Sequence, residues 1–366
     1  MSLPMISVVT RYVTIQFLRR FLFILLGFVA LVQLFDVLSN ADDIVSKFGA
    51  GLWPLLRYIL YRLPATAALA MPFAVLIGAL LTLLALAQSN EIMALKSTGM
   101  SFYRVMLGFL PIGILIALAH FVVTDQIAPR SLRALALFEQ ANNQARPGGA
   151  QQVMSQAVWI RDRDMMIRAD RVVRDGSLLW DVEIIRRDTR GIMIERRFAK
   201  RAQYSQRKWI LSEVNVLKLQ GESRDISTVD NQVWDTTLRP ADFANQAVPP
   251  SEFTAGDLRQ LTASAGVGSR PVSVYATWLQ KRYALPIVCL LMILLAAPVS
   301  AVTLRSGGTG LRMAIGVGLG FLYFVADGLS TAMGETGALA PFLAAWAPAV
   351  IFASIGGSVL LRVESV

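Results

Sequence analysis

The chain has 366 residues, of which 55% are hydrophobic and 16% charged, with a formal net charge of +10. That apolar excess excludes an ordinary soluble domain and calls for membrane spans. A single Cys and a single His exclude an intramolecular disulfide and a Cys/His metal framework, and basic residues at the ends of apolar runs explain the positive charge without nucleic acid.

A helix needs about 20 apolar residues to cross the bilayer core. Six runs qualify: 21–38, 58–87, 102–123, 283–302, 311–332 and 341–361. Polar segments separate them, including Asn40-Ala41-Asp42-Asp43, Gln88-Ser89-Asn90-Glu91 and Arg305-Ser306-Gly307-Gly308. The first run follows Arg11, Arg19 and Arg20 and no small-residue cleavage site follows it, so it reads as a retained span. An even number of spans puts both termini on one side. Arg11, Arg19, Arg20, Lys96, Arg104, Arg305, Arg312 and Arg362 then share that side, which the positive-inside rule assigns to the cytoplasm.

Between the third and fourth spans lies a charged stretch that reads as strands. Segments 157–160, 165–169, 178–185 and 208–217 are short, rich in β-branched and aromatic residues, and divided by turns such as Arg174-Asp175-Gly176 and Thr189-Arg190-Gly191. Six to ten strands are expected, as a sandwich or jelly roll outside the membrane. Helical segments flank it near 128–145 and 255–282, with hinges at Arg146-Pro147-Gly148-Gly149 and Ala265-Gly266-Val267-Gly268. The predicted organisation is therefore 1–127 (three spans), 128–275 (β-rich domain) and 276–366 (three spans).

No Gly-x-x-x-x-Gly-Lys-Ser/Thr loop, His-Glu-x-x-His or Gly-x-Ser-x-Gly occurs, so transport would need energy from a partner or an ion gradient. The loop 88–101 begins near Glu91 and ends near Lys96 and Gly99, which suits a short helix with its dipole satisfied. Ile92, Met93 and Leu95 give it an apolar surface. It is either a turn lying on lipid headgroups or a knob for a soluble ATPase. Asp36 and Asp327 are carboxylates in apolar runs, costly in lipid and functional candidates for that reason. No basic residue well inside a span stands out as a partner for either, which leaves a proton relay incomplete. Gly316, Gly318 and Gly320 suit close helix packing. His120 reads as a hydrogen-bonded packing residue. Pro64, Pro72, Pro111, Pro286 and Pro298 predict kinks, and Trp53, Trp278 and Trp346 predict interface anchors.

Three segments resemble one family. Leu86-Ala87-Gln88-Ser89-Asn90-Glu91 with Ser97-Thr98-Gly99, Lys281-Arg282-Tyr283-Ala284-Leu285-Pro286 leading to Ala297-Pro298-Val299-Ser300, and Gly334-Glu335-Thr336-Gly337-Ala338-Leu339-Ala340-Pro341 with Ala344-Ala345-Trp346-Ala347-Pro348 are similar to the LptF/LptG permeases of lipopolysaccharide export. Phe324-Val325-Ala326-Asp327-Gly328 adds a likeness to the LptG branch. The resemblance implies an inner-membrane, non-catalytic subunit with a periplasmic jelly-roll-like domain. It implies a second, LptF-like permease, an LptB-like ATPase dimer that binds ATP and Mg, LptC/LptA-like bridge proteins, and lipopolysaccharide as substrate. Glu91, Ile92, Met93, Leu95 and Lys96 would then carry the ATPase stroke. The first and fifth spans would form a lateral gate holding Gln33, Asp36 and Asp327. Members of the LptG branch can carry a Lys three residues before the Asp matching Asp36; here Gln33 offers a hydrogen bond instead of a charge. Two other classes remain open: an ion-coupled carrier using Asp36 and Asp327, and an FtsX-like ATPase-coupled scaffold, although that class usually has four spans.

Overall fold

A computed structural model describes residues 3–48, 51–99, 101–144, 153–154, 158–162, 165–173, 176–188, 193–205, 207–220, 223–244, 249–263, 270–301 and 309–364. The expected hinges at 146–149 and 265–268, and the loop 305–308, fall outside them. The chain divides into two compact units, 1–136 with 277–366 and 137–276.

The first unit is helical, and among the described residues six helices are long and apolar enough to cross a membrane. The elements are α1 (Leu3–Ser39), α2 (Ala41–Phe48), α3 (Leu52–Gln88), α4 (Glu91–Ser97), α5 (Phe102–Leu107), α6 (Leu110–Val122), a π-helical turn (Val123–Ile127), α7 (Ala128–Gln144), α10 (Val272–Ala301), α11 (Thr309–Glu335) and α12 (Pro341–Glu364). The long α3 is the axis of the bundle. In its most apolar stretch 72% of residues are buried, against 17% in both α1 and α11. Ala74, Val75, Leu76, Ala79, Leu80 and Leu83 of α3 meet Phe17 of α1, Phe109, Met292 and Tyr323 in one core.

Small residues permit this closeness. A Cβ on Gly78 would lie 3.1 Å from the Phe21 backbone of α1. On α11, Gly316 and Gly320 seat Leu80 and Leu76, and added Cβ atoms would approach them to 2.7 and 2.1 Å. Gly318, between them, has nothing within 4 Å. Pro64 and Pro72 lie inside α3, which continues through both.

The third span departs from the single helix predicted over 102–123. It breaks at Gly108 and Phe109, and Pro111 sits in the first turn of α6, where its missing N–H costs nothing. The Thr14 hydroxyl of α1 donates to the Gly108 carbonyl at 3.1 Å. The π-helical turn then frees further carbonyls, and Arg282 Nη1 donates to Thr124 O at 3.0 Å. Both repairs follow from the rule that irregular backbone at membrane depth must be satisfied by protein.

The second unit is all-β at its centre. Strands β1 (Val153–Met154), β2 (Val158–Asp162), β3 (Met165–Val173), β4 (Leu178–Arg187), β5 (Met193–Ser205), β6 (Lys208–Gln220) and β7 (Ser223–Trp234) form one antiparallel sheet. From β3 to β7 each strand pairs with its sequence neighbour, while β1 and β2 both pair with β3. Ile167, Leu179, Val182, Ala199, Leu211 and Val214 pack into one buried core. Alternation alone would separate Leu179 from Val182 and Leu211 from Val214, and the irregular residues Asp181 and Glu213 between them bring each pair to the same face. Trp209, Leu238 and Phe243 extend that core. After β7 come α8 (Pro240–Ala244), a 3₁₀ turn and α9 (Ala255–Ala263).

One row crosses the sheet without ladder pairing. In register, the pairing skips Asp170 and Asp181, Asp181 and Lys200, Lys200 and Glu213, and Glu213 and Asp230. Asp181 and Glu213 adopt φ of 53° there, a left-handed conformation that costs non-glycine residues roughly 1 kcal/mol. The pleat is interrupted on five adjacent strands at the same height.

Candidate functional site

Three clusters on the membrane unit hold the residues singled out by sequence. The first joins α3 to α5. Asn90 turns the chain with φ of 57°, and α4 starts at Glu91, which puts a carboxylate at the positive end of its dipole. Glu91 Oε1 accepts from Ser89 Oγ at 2.8 Å and from the Tyr12 hydroxyl of α1 at 3.3 Å. Ile92 is 3% exposed and belongs to the bundle core, whereas Met93 is 59% exposed. Leu95 and Lys96 are in the helix, but their side chains fall outside the described residues. Among its described side chains, Ile92 thus anchors α4, Glu91 ties it to α1, and Met93 faces outward.

The second cluster lies near the other end of α1. Asp36 Oδ2 meets Arg62 Nε of α3 at 2.9 Å and accepts from the Tyr58 hydroxyl at 2.8 Å. Asn40 Nδ2 donates to Asp36 Oδ1 at 3.3 Å. The Arg62 guanidinium also lies over the Tyr58 ring at 5.8 Å. One turn earlier, Gln33 is buried and donates to Thr66 Oγ1 at 3.3 Å and to Ile59 O at 3.5 Å. Its Oε1 is buried and has no partner among the described residues. Gln33 and Asp36 therefore both engage α3.

The third cluster joins α10, α11 and α12. Lys281 Nζ donates to Asp327 Oδ2 and to Thr331 Oγ1, each at 2.7 Å. The ammonium lies over Trp278 at 5.4 Å, and the Trp278 indole N–H donates to Glu335 Oε1. Trp346 Nε1 donates to Gln280 Oε1 at 3.4 Å. Two of the expected interface anchors thus belong to this polar group.

These pairs correct the expectation that neither carboxylate has a basic partner within a span. Arg62 and Lys281 are those partners, each inside a candidate span. Sequence periodicity did not reveal them, because the pairing is across helices at separations of 26 and 46 residues. Among the described residues Asp36 and Asp327 share no partner. Another buried pair was missed for the same reason: Arg282 Nε faces Asp125 Oδ1 at 3.9 Å where the π-helical turn lies. His120 is a packing residue with both nitrogens used. Nε2 contacts Ala68 O at 3.1 Å and Nδ1 contacts Cys289 Sγ at 3.4 Å, so an Nε2–H tautomer satisfies both. Among the described residues no group of His, Cys, Asp and Glu could hold a metal ion.

The family model for the lipopolysaccharide export system permeases LptF/LptG matches residues 11–362, nearly the whole chain. The chain belongs to the LptF/LptG family. It is 24% identical over 351 residues to the lipopolysaccharide export system permease protein LptG of Escherichia coli K12, covering 93% of each chain. It is 24% identical over 332 residues to that of Haemophilus influenzae, covering 88% of this chain and 89% of the relative. As an LptF/LptG permease with six apolar helices, it is a multi-pass inner-membrane protein of the lipopolysaccharide export system. The match runs through both membrane halves and the β domain, so the three clusters lie inside the family's own architecture.

Proposed function

We propose that this chain is the LptG-like half of an exporter powered by a separate ATPase, which takes lipopolysaccharide from the inner membrane and passes it to a periplasmic bridge. The observation that carries this reading is the uneven cover of the bundle. Its axis, α3, is enclosed, while α1 and α11 leave Phe23, Leu26, Phe35, Phe321, Leu322 and Leu329 uncovered. Two helices that both pack on α3 and leave open apolar faces suit a wall shared with a second, related permease and with an acyl-chain substrate. In this reading α1 and α11 form the lateral gate.

The input is α4. Met93 would dock in an LptB-like ATPase dimer, which binds ATP and Mg. Ile92 would make the helix move with the bundle, and the Glu91–Tyr12 contact would pass displacement to α1. Leu95 and Lys96 complete the docking segment. The termini and α4 would be cytoplasmic and the β domain periplasmic, next to LptC/LptA-like bridge proteins.

The ion-coupled alternative is less well supported. A carboxylate relay must change protonation, and both Asp36 and Asp327 already have cations within 2.9 Å. The test is co-purification and transport. Met93→Asp should release the ATPase and abolish lipopolysaccharide export while the chain stays folded. Normal export by that variant would reject the docking role.

A further inference from the structure

At one end of the sheet, the β5–β6 hairpin and the segment following β7 enclose a cavity of about 840 Å³, within the usual size range of small-ligand sites. Trp209 and Trp234 form its floor, Arg207, Lys208 and Arg239 stand at its rim, and among the described residues Asp235 is the one carboxylate lining it. The four charged residues are exposed.

Two features set this cavity apart. The first is its charge. Elsewhere on the sheet Arg171 pairs with Asp181, Arg196 with Glu183, Arg197 with Glu195 and Lys200 with Glu213. Among the described residues Arg207, Lys208 and Arg239 have no ion pair, although they gather at one rim. The second is an unmet donor. The Trp209 N–H donates to Leu238 O at 3.0 Å, but Trp234, 3% exposed, has a buried indole N–H with no acceptor among the described residues. Such a donor costs about 1–3 kcal/mol unless something supplies an oxygen. The neighbouring carboxylate, Asp162, is already occupied by the hydroxyls of Thr236 and Thr237. Arg207 also holds φ of 63°, an unfavourable backbone for a long side chain.

Clustered, unneutralised cations beside a donor in a cavity select an oxyanion. The indole rings are too deeply covered to stack on a nucleobase. We propose that this end of the β domain binds a phosphorylated saccharide, the anionic portion of the exported lipid. The identity of that ligand rests on the reading of this chain as a lipopolysaccharide permease; the anion site does not. The guanidinium groups and Lys208 would hold phosphoryl oxygens, and seating them would bring an oxygen to the Trp234 N–H, which is closed to solvent without a ligand.

The test uses the full chain in nanodiscs with its partner permease, titrated by calorimetry and tryptophan fluorescence. The probes are deacylated lipopolysaccharide oligosaccharide, the same material after phosphatase treatment, and inorganic phosphate. The phosphorylated oligosaccharide should bind and should weaken as salt rises. Removing its phosphates, or combining R207S, K208S and R239S, should cost at least tenfold. W234F, which keeps a ring but loses the donor, should cost several-fold, and R207E alone should exceed the loss from K200S on the body of the sheet. Unchanged binding to the triple variant overturns the site. Inorganic phosphate binding as tightly as the oligosaccharide overturns saccharide recognition. If export proves independent of an ATPase while the oligosaccharide still binds, the functional reading fails and the site stands; ATP-driven export without oligosaccharide binding removes the site alone.

Discussion

Removing the Lys281 ammonium should expose the cost of the Asp327 carboxylate. The side chains of this pair are 17% and 16% exposed, so water contributes little to either charge. Lys281→Met keeps the apolar stem over Trp278 but leaves the carboxylate without its cation. Breaking a buried pair on one side costs about 3–5 kcal/mol, whereas replacing both partners with apolar groups is often neutral. A loss of about 3 kcal/mol shifts the folding equilibrium roughly 150-fold. Thermal unfolding in nanodiscs should therefore rank wild type close to the double variant Lys281→Met/Asp327→Leu, with both single variants well below. The double variant should also export lipopolysaccharide, because a fixed pair joining α10 to α11 is a structural clamp. Equal destabilisation of the single and double variants would refute the clamp. A stable double variant that exports nothing would assign the pair to proton or substrate handling.

On α11, Gly320→Val should destabilise by about 1–3 kcal/mol, since even its Cβ would lie 2.1 Å from Leu76 Cδ2. Gly318→Ala, with open space around it, should be neutral or stabilise by roughly 0.5–1 kcal/mol; parallel thermal unfolding compares the two. Glu213→Gly should stabilise the β domain by about 1 kcal/mol by relieving its positive φ, because the Lys200 pair that it loses is exposed and worth little. Hydrogen exchange of β6 amides would read that gain directly.

The six spans were legible because lipid demands long uninterrupted apolar runs, and no soluble fold imitates them here. The breaks within them were less so. Gly108 and Pro111 are visible in the sequence, but the rupture between α5 and α6 depends on Thr14 reaching the freed carbonyl. Strand β5 was missed because Arg196, Arg197, Lys200 and Arg201 dominate it, and its inward residues include the small Ala199 and Ala202 rather than β-branched ones. β7 was missed likewise, as Asp225, Asp230 and Asn231 hide its alternation. In the clusters, sequence identified the carboxylates but not the cations that neutralise them. Arg62 and Lys281 sit on other helices, and their partners depend on helix rotation. Within α4, composition grouped Ile92 with Met93; burial separates an internal anchor from an outward contact.

The most direct test of a passive permease driven through α4 is lipopolysaccharide transfer from proteoliposomes holding this chain, its partner permease, the ATPase and the bridge proteins. ATP should drive transfer to an acceptor, and omission of the ATPase or Met93→Asp should abolish it. An imposed proton gradient alone should move none. Gradient-driven transfer without ATPase would contradict the account and return the Asp36 and Asp327 clusters to the role of an engine.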